Sequence, residues 1–124
     1  MLYSMTNERN NAVVAMKQSA TGMLSDSVAY PTGGSGTATP TVDPLGSQGS
    51  VILSGDGRFL FAVNAGSGSI TTFSVSPTGL QFVAMAPSGG IRPNSLAAAG
   101  EFLYVTNAGV GVRASNVTGF RIGS

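Results

Sequence analysis

Phe59-Leu60-Phe61-Ala62-Val63-Asn64-Ala65-Gly66 returns as Phe102-Leu103-Tyr104-Val105-Thr106-Asn107-Ala108-Gly109, an offset of 43 residues from Asn64 to Asn107. A fainter copy, Leu2-Tyr3-Ser4-Met5-Thr6-Asn7, opens the chain, and its Asn7 lies 57 residues before Asn64. The longer spacing requires an insertion, and residues 35–47, rich in Gly, Thr, Pro and Ser, supply it. The flanks repeat as well. Tyr30-Pro31-Thr32-Gly33-Gly34 matches Ala86-Pro87-Ser88-Gly89-Gly90, and Ser69 to Val75 matches Asn116 to Ile122.

Within the central copy, short β-rich runs alternate with turn residues. Ser50 to Leu53, Phe59 to Asn64, Ser69 to Val75 and Leu80 to Met85 read as strands. Gly55-Asp56-Gly57, Gly66-Ser67-Gly68 and Pro77-Thr78-Gly79 separate them. Gly and Asp suit such turns because they tolerate positive φ. No window sustains an apolar stripe at helical spacing. Four strands in this repeat length match a β-propeller blade, which takes about 40–45 residues. A sandwich or barrel also has short strands, but it does not call for an eight-residue block repeated at blade length. The expected fold is therefore all-β, with blades of four antiparallel strands. The chain supplies about two and a half blades and does not close a ring by itself. The segments are 1–34, a partial blade; 35–47, an insertion loop; 48–90, a full blade; and 91–124, a partial blade. The aromatic and branched positions Phe59, Phe61, Val63, Phe73, Phe82 and Tyr104 are expected to pack between blades.

Composition narrows the chemistry. Charged residues are 9% of the 124, against the roughly 25% of ordinary domains. Six Lys/Arg face five Asp/Glu, and no basic run offers a footprint for nucleic acid. Cys and His are both absent, which removes disulfides, thiolate nucleophiles, the commonest general base and the commonest metal ligand. No metal or cofactor is expected. No apolar run reaches the length of a membrane span. The hydroxyl- and amide-rich surface suits an extracellular or periplasmic protein better than a cytoplasmic one.

Leu103-Tyr104-Val105-Thr106-Asn107-Ala108 resembles the YVTN signature of bacterial and archaeal propeller repeats. The stretches Tyr3 to Val14, Gly46 to Phe73 and Gly89 to Phe120 are similar to the N-terminal part of the seven-bladed propeller family of lactonases. That family includes 6-phosphogluconolactonases of the cycloisomerase type and fungal carboxymuconate cyclases. The resemblance implies a longer parent and an activity on a sugar lactone or muconate-like substrate. Active relatives often carry a Pro-His-x-His-type segment where a blade begins. Here the matching segments read Gly46-Ser47-Gln48-Gly49-Ser50 and Ile91-Arg92-Pro93-Asn94-Ser95, without His. Catalysis within this stretch alone is not expected, and its catalytic residues stay unassigned.

The ligand-binding candidates are channel-lining: Gln48, Arg92 and Asn94 at blade starts, and Asn64 and Asn107 at the ends of second strands. Arg92 can hold a carboxylate or phosphate bidentately, or can instead bridge blades and cap backbone carbonyls. A small anionic or sugar-like ligand would suit this set. Asn7, Asn64 and Asn107 can form a ring of amides, or each can bond the turn that follows it; repetition in every unit favours the structural role. Asp56 and Asp43 read as turn formers, since a lone carboxylate does not hold a hard cation. Gly33-Gly34-Ser35-Gly36 and Gly66-Ser67-Gly68 lack the context of a phosphate loop and read as flexible turns. No Gly-x-Ser-x-Gly elbow stands before a helix. Asn116-Val117-Thr118 is a glycosylation sequon on a strand. The expected role is a binding or scaffold module whose partners are further blades or copies of itself at open sheet edges. The alternative is a lactonase or cycloisomerase whose catalytic residues lie largely outside this stretch.

Overall fold

A computed structural model describes residues 1–39, 44–112 and 114–123 of the chain. Its strands are β1 (Leu2–Met5), β2 (Ala12–Gln18), β3 (Leu24–Pro31), β4 (Val51–Leu53), β5 (Phe59–Asn64), β6 (Ser69–Ser76), β7 (Gly79–Pro87), β8 (Pro93–Ala99), β9 (Phe102–Asn107) and β10 (Asn116–Arg121). They form three antiparallel sheets, ordered β1-β2-β3, β4-β5-β6-β7 and β8-β9-β10. No described residue is helical. The Ala run at 97–99 ends β8 instead, because its alternate positions pair with Phe102 and Tyr104 of β9.

Each sheet is a meander of adjacent hairpins, as tight Gly-containing turns dictate. Burial tells which faces are covered. Along β9, Leu103, Val105 and Asn107 are buried while Phe102, Tyr104 and Thr106 are exposed, so one face is covered. Along β5, both alternating sets are covered. The four-stranded sheet therefore lies between the other two. Val13, Leu60, Ala62, Phe73 and Leu80 form the core against the first sheet, joined by Tyr3 and Tyr30. Phe61, Val63, Ile70, Leu96, Leu103 and Val105 form the core against the third, joined by Phe59, Phe120 and Ile122. Sheets stacked face to face through alternate side chains are what a series of propeller blades requires.

Two of the aromatic positions expected between blades behave differently. Phe61, Val63 and Phe73 are buried and Phe59 is half-buried. Phe82 is 52% and Tyr104 43% exposed. Tyr104 stands on the outward face of the third sheet, which no described residue covers. Phe82 lies on the outermost strand and meets Phe73 edge-on at 6.3 Å.

The backbone also shifts the first repeat by one residue. Thr32 N–H donates to Asn11 O and Ser88 N–H to Gly68 O, each at 2.9 Å, which equates Asn11 with Gly68. Val13 is then the counterpart of Ile70. Met5 pairs with Val13 as Val63 pairs with Ile70. Thr6, not Asn7, thus occupies the position of Asn64 and Asn107. Asn7 begins the loop with φ 55°. Its amide clamps Thr37, donating to Oγ1 at 2.7 Å and accepting from the backbone N–H at 2.9 Å.

Candidate functional site

The repeated asparagines are consumed between sheets. Asn64 ends β5 and is fully buried. Its Oδ1 accepts from Asn11 Nδ2 at 2.9 Å and Thr32 Oγ1 at 2.7 Å, both on the preceding sheet's side. Its Nδ2 donates to Ser69 Oγ at 3.1 Å and Thr71 Oγ1 at 2.9 Å. Thr71 Oγ1 in turn donates to Thr32 O at 2.8 Å. Asn107 repeats the pattern one unit later, donating to Ser88 O at 3.1 Å and Thr118 Oγ1 at 3.3 Å. These bonds are divided evenly between the preceding unit, through Asn11, Thr32 and Ser88, and the asparagine's own sheet, through Ser69, Thr71 and Thr118. Every lone pair and proton of a buried amide must be matched, and a site between two strands and a linker supplies four partners at once.

The linkers that reach these amides are the repeated Pro-Thr/Ser-Gly-Gly segments. A Cβ on Gly34 would overlap the Asn64 side chain, and one on Gly90 would overlap Asn107. Likewise, Gly36 lies against the backbone of Asn7, and Gly66 against Gly36 O. The Gly-rich stretches expected to be flexible turns are therefore close-packed, because only residues without side chains let two backbones and an amide meet. The linker repeat and the Asn repeat are each legible in the sequence, but that they meet is not. Thr32 and Asn64 lie 32 residues apart and Ser88 and Asn107 19 apart, a difference equal to the length of 35–47.

The two junctions differ in one atom. Asn107 Oδ1 is buried with no partner among the described residues. At the first junction this oxygen's donors are Asn11 and Thr32. At the second their counterparts are Gly68, which has no side chain, and Ser88, whose Oγ donates to Gly90 O at 3.2 Å instead.

The blade-start residues form a separate seam. Ser47 Oγ and Ser95 Oγ are 2.9 Å apart, and Leu96 N–H donates to Gly49 O at 2.8 Å. The segments carrying Gln48 and Asn94 thus run side by side. Gln48 is exposed. Asn94 Oδ1 accepts from Thr106 Oγ1 at 2.8 Å. Arg92 holds φ 59°, rare for a residue with a Cβ, and its Nη2 donates to Pro44 O at 2.7 Å. Its guanidinium caps a carbonyl at the end of the insertion. Gln48, Arg92 and Asn94 share this seam, while Asn64 and Asn107 sit inside the two sheet interfaces.

Asp56 accepts from Ser54 Oγ at 2.6 Å and Arg58 N–H at 3.1 Å, as a turn former does. These bonds, the Ser54 one foremost, hold its carboxyl below the usual carboxylate range. Asp43 lies outside the described residues. Asn116 Nδ2 donates to Gly89 O at 3.0 Å. A hollow of about 320 Å³ opens between the second and third sheets beside β10, lined by Phe59, Ile70, Ala84, Phe120 and Ile122 among others. None of the five candidate residues lines it.

A stack of meandering antiparallel sheets of three and four strands, latched through repeated Asn and Thr/Ser-Gly-Gly, narrows the fold to a propeller. The model of one family, described as "Lactonase, 7-bladed beta-propeller", matches residues 1–124. The chain belongs to this lactonase-type propeller family. No curated protein and no solved structure matches it. The three sheets stand against seven blades in the family's description, so the described residues leave the ring open.

Proposed function

We propose that this stretch of the lactonase-type propeller acts as a binding and scaffold module rather than as the seat of chemistry. One observation carries the reading: the amides placed to line a site, Asn64 and Asn107, are buried and spend their donors on structural hydrogen bonds, to Ser69, Thr71 and Thr118 of their own sheets and to Ser88 O of the preceding linker. The blade-start positions where relatives carry His hold Gln48, Gly49 and Asn94. The scaffold reading extends to further blades, or a second copy, against the outward face that presents Phe102, Tyr104 and Val117. The polar seam of Gln48, Arg92 and Asn94 is offered as the place for a small anionic or sugar-like ligand, since Arg92 brings a cation to it, held by its bond to Pro44 O. Titration with a sugar acid, followed by amide shifts at these residues and lost in Arg92→Gln, tests this. The low share of charged residues supports a location outside the cytoplasm, which cell fractionation checks.

Hydrolysis of a sugar lactone by the purified 124-residue chain is the deciding assay. No turnover above the uncatalysed rate is expected, and turnover would overturn the scaffold reading. Family membership favours a second reading, in which a longer polypeptide hydrolyses or isomerises such a substrate with residues from other blades. The same assay on that longer polypeptide distinguishes the two.

A further inference from the structure

Gly55-Asp56-Gly57 turns the β4–β5 hairpin of the central sheet, well inside the chain. An aspartate followed by glycine has a covalent chemistry of its own. Gly57 carries no Cβ to shield its amide nitrogen, and that nitrogen reaches Asp56 Cγ by closing a five-membered ring. The nitrogen attacks Cγ and a new N–Cγ bond forms a succinimide. One carboxylate oxygen leaves as water, taking the amide proton and a proton from solvent. Water then opens the ring at the original Asp56 carbonyl carbon and breaks its bond to nitrogen, which returns the protons. Gly57 is left joined through Cγ, as an isoaspartyl linkage.

Packing does not block this reaction. Gly55, Asp56 and Gly57 are all exposed. A Cβ at Gly55 or Gly57 would meet nothing within 4 Å. Hydrogen bonds hold both reacting groups instead. Asp56 Oδ1 accepts from Ser54 Oγ at 2.6 Å and from Arg58 N–H at 3.1 Å. Its Oδ2 stands 3.5 Å from Arg58 Nε. The attacking nitrogen is engaged as well, because Gly57 N–H donates to Ser54 O at 2.9 Å. Ser54 thus holds the carboxylate by its hydroxyl and the amide by its carbonyl. It is itself buried and fixed to β5, donating its N–H to Phe59 O at 2.8 Å and accepting from Phe59 N–H at Oγ at 3.1 Å. The same bonds keep the carboxyl ionised, and an ionised carboxylate is a poor electrophile. Attack has to free the Gly57 proton from Ser54 O and turn Cγ away from Ser54 Oγ and Arg58 N–H.

We infer that Asp56-Gly57 is a masked modification site, an isoaspartate-forming pair that the β4–β5 turn holds unreactive while folded and releases when the hairpin opens. Isomerisation routes the backbone through Cβ and Cγ of residue 56, so the carboxylate no longer stands where Ser54 Oγ and Arg58 N–H meet it. The original turn cannot re-form, and the linkage is a lasting record of opening. The inference concerns this hairpin alone and stands or falls separately from lactone turnover.

The test compares the intact 124-residue chain with a synthetic peptide carrying residues 50–62, both held at neutral pH. Isomerisation leaves the mass unchanged, so isoaspartate at position 56 is resolved by chromatography of digests against a synthetic isoaspartyl standard. The peptide is expected to convert at least about tenfold faster than the chain, the equivalent of one hydrogen bond to a charged group. Ser54→Ala takes the hydroxyl from the carboxylate and leaves the backbone bonds, and should speed conversion in the chain at least about threefold. Conversion of the intact chain at the peptide's rate overturns the inference, and so does a folded Ser54→Ala chain that converts no faster than the parent. The comparison of parent with peptide needs no variant, so it decides the matter even where Ser54→Ala fails to fold.

Discussion

Asn64 shows how much one side chain can hold. Its amide makes four hydrogen bonds at zero exposure, joining two sheets and a linker. Asn64→Ala removes four buried hydrogen bonds and leaves a void between the sheets, and is expected to cost about 2–4 kcal/mol. Asn107→Ala should cost less, because its Oδ1 has no bond to lose. Paired denaturant titrations of the two variants check the order. That orphaned oxygen is itself a cost of about 1–3 kcal/mol. Ser88→Thr copies the residue that satisfies the first junction, and is expected to gain roughly 0.5–1.5 kcal/mol by turning its hydroxyl to Asn107 Oδ1. A Ser88→Thr melting temperature at or below that of the parent would show that the hydroxyl keeps its bond to Gly90. Gly34→Ala drives a methyl into Asn64 and should destabilise by about 1–3 kcal/mol, read in the same titration.

At the scale of elements, the β4–β5 hairpin carries a pH-dependent device. Asp56 anchors the turn through Ser54 and Arg58, and its folded pKa is lowered. A lowered carboxyl pKa means that the stabilisation is complete above the ordinary aspartate range. It is lost as the pH falls from that range through the folded value. Chemical shifts of Ser54 and Arg58 amides should therefore move together at acid pH, and Asp56→Asn should abolish the movement while leaving the sheet intact. The carboxyl is fully exposed, so the effect belongs to the turn and not to the fold as a whole.

For the molecule as a whole, the decisive asymmetry is that, among the described residues, only the central sheet is covered on both faces. Its β5 is buried nearly throughout, whereas β3 is exposed along almost its whole length. Amide exchange follows the least costly opening. Protection is expected to be greatest in β5 and β6 and least in β3, when followed residue by residue by NMR. Equal protection in all three sheets would mean that they open only together. The same asymmetry explains why Tyr104, the counterpart of the buried Phe61, is left exposed: a blade face is completed by its neighbour, not by its own sequence.

The sequence by itself determined the repeat, the turns, the strand type and the family resemblance, because blade length and period-two patterning are local properties. It marked Asn64 and Asn107 as a repeated pair and offered them both as channel-lining amides and as residues bonded to their own turns. It misjudged the third member, since a loop one residue longer moves Thr6 into the place where Asn7 was aligned, and only backbone pairing reveals a register. It read Gly33 to Gly36 as loose, because close approach of a linker to an amide 32 residues away is invisible along the chain. Which of two identical motifs finds all its partners was decided by tertiary structure alone. Asn11 and Thr32 complete one latch, while Gly68 and Ser88 leave the other an acceptor short, because hydrogen bonding depends on which atoms meet across a junction rather than on the motif that presents them.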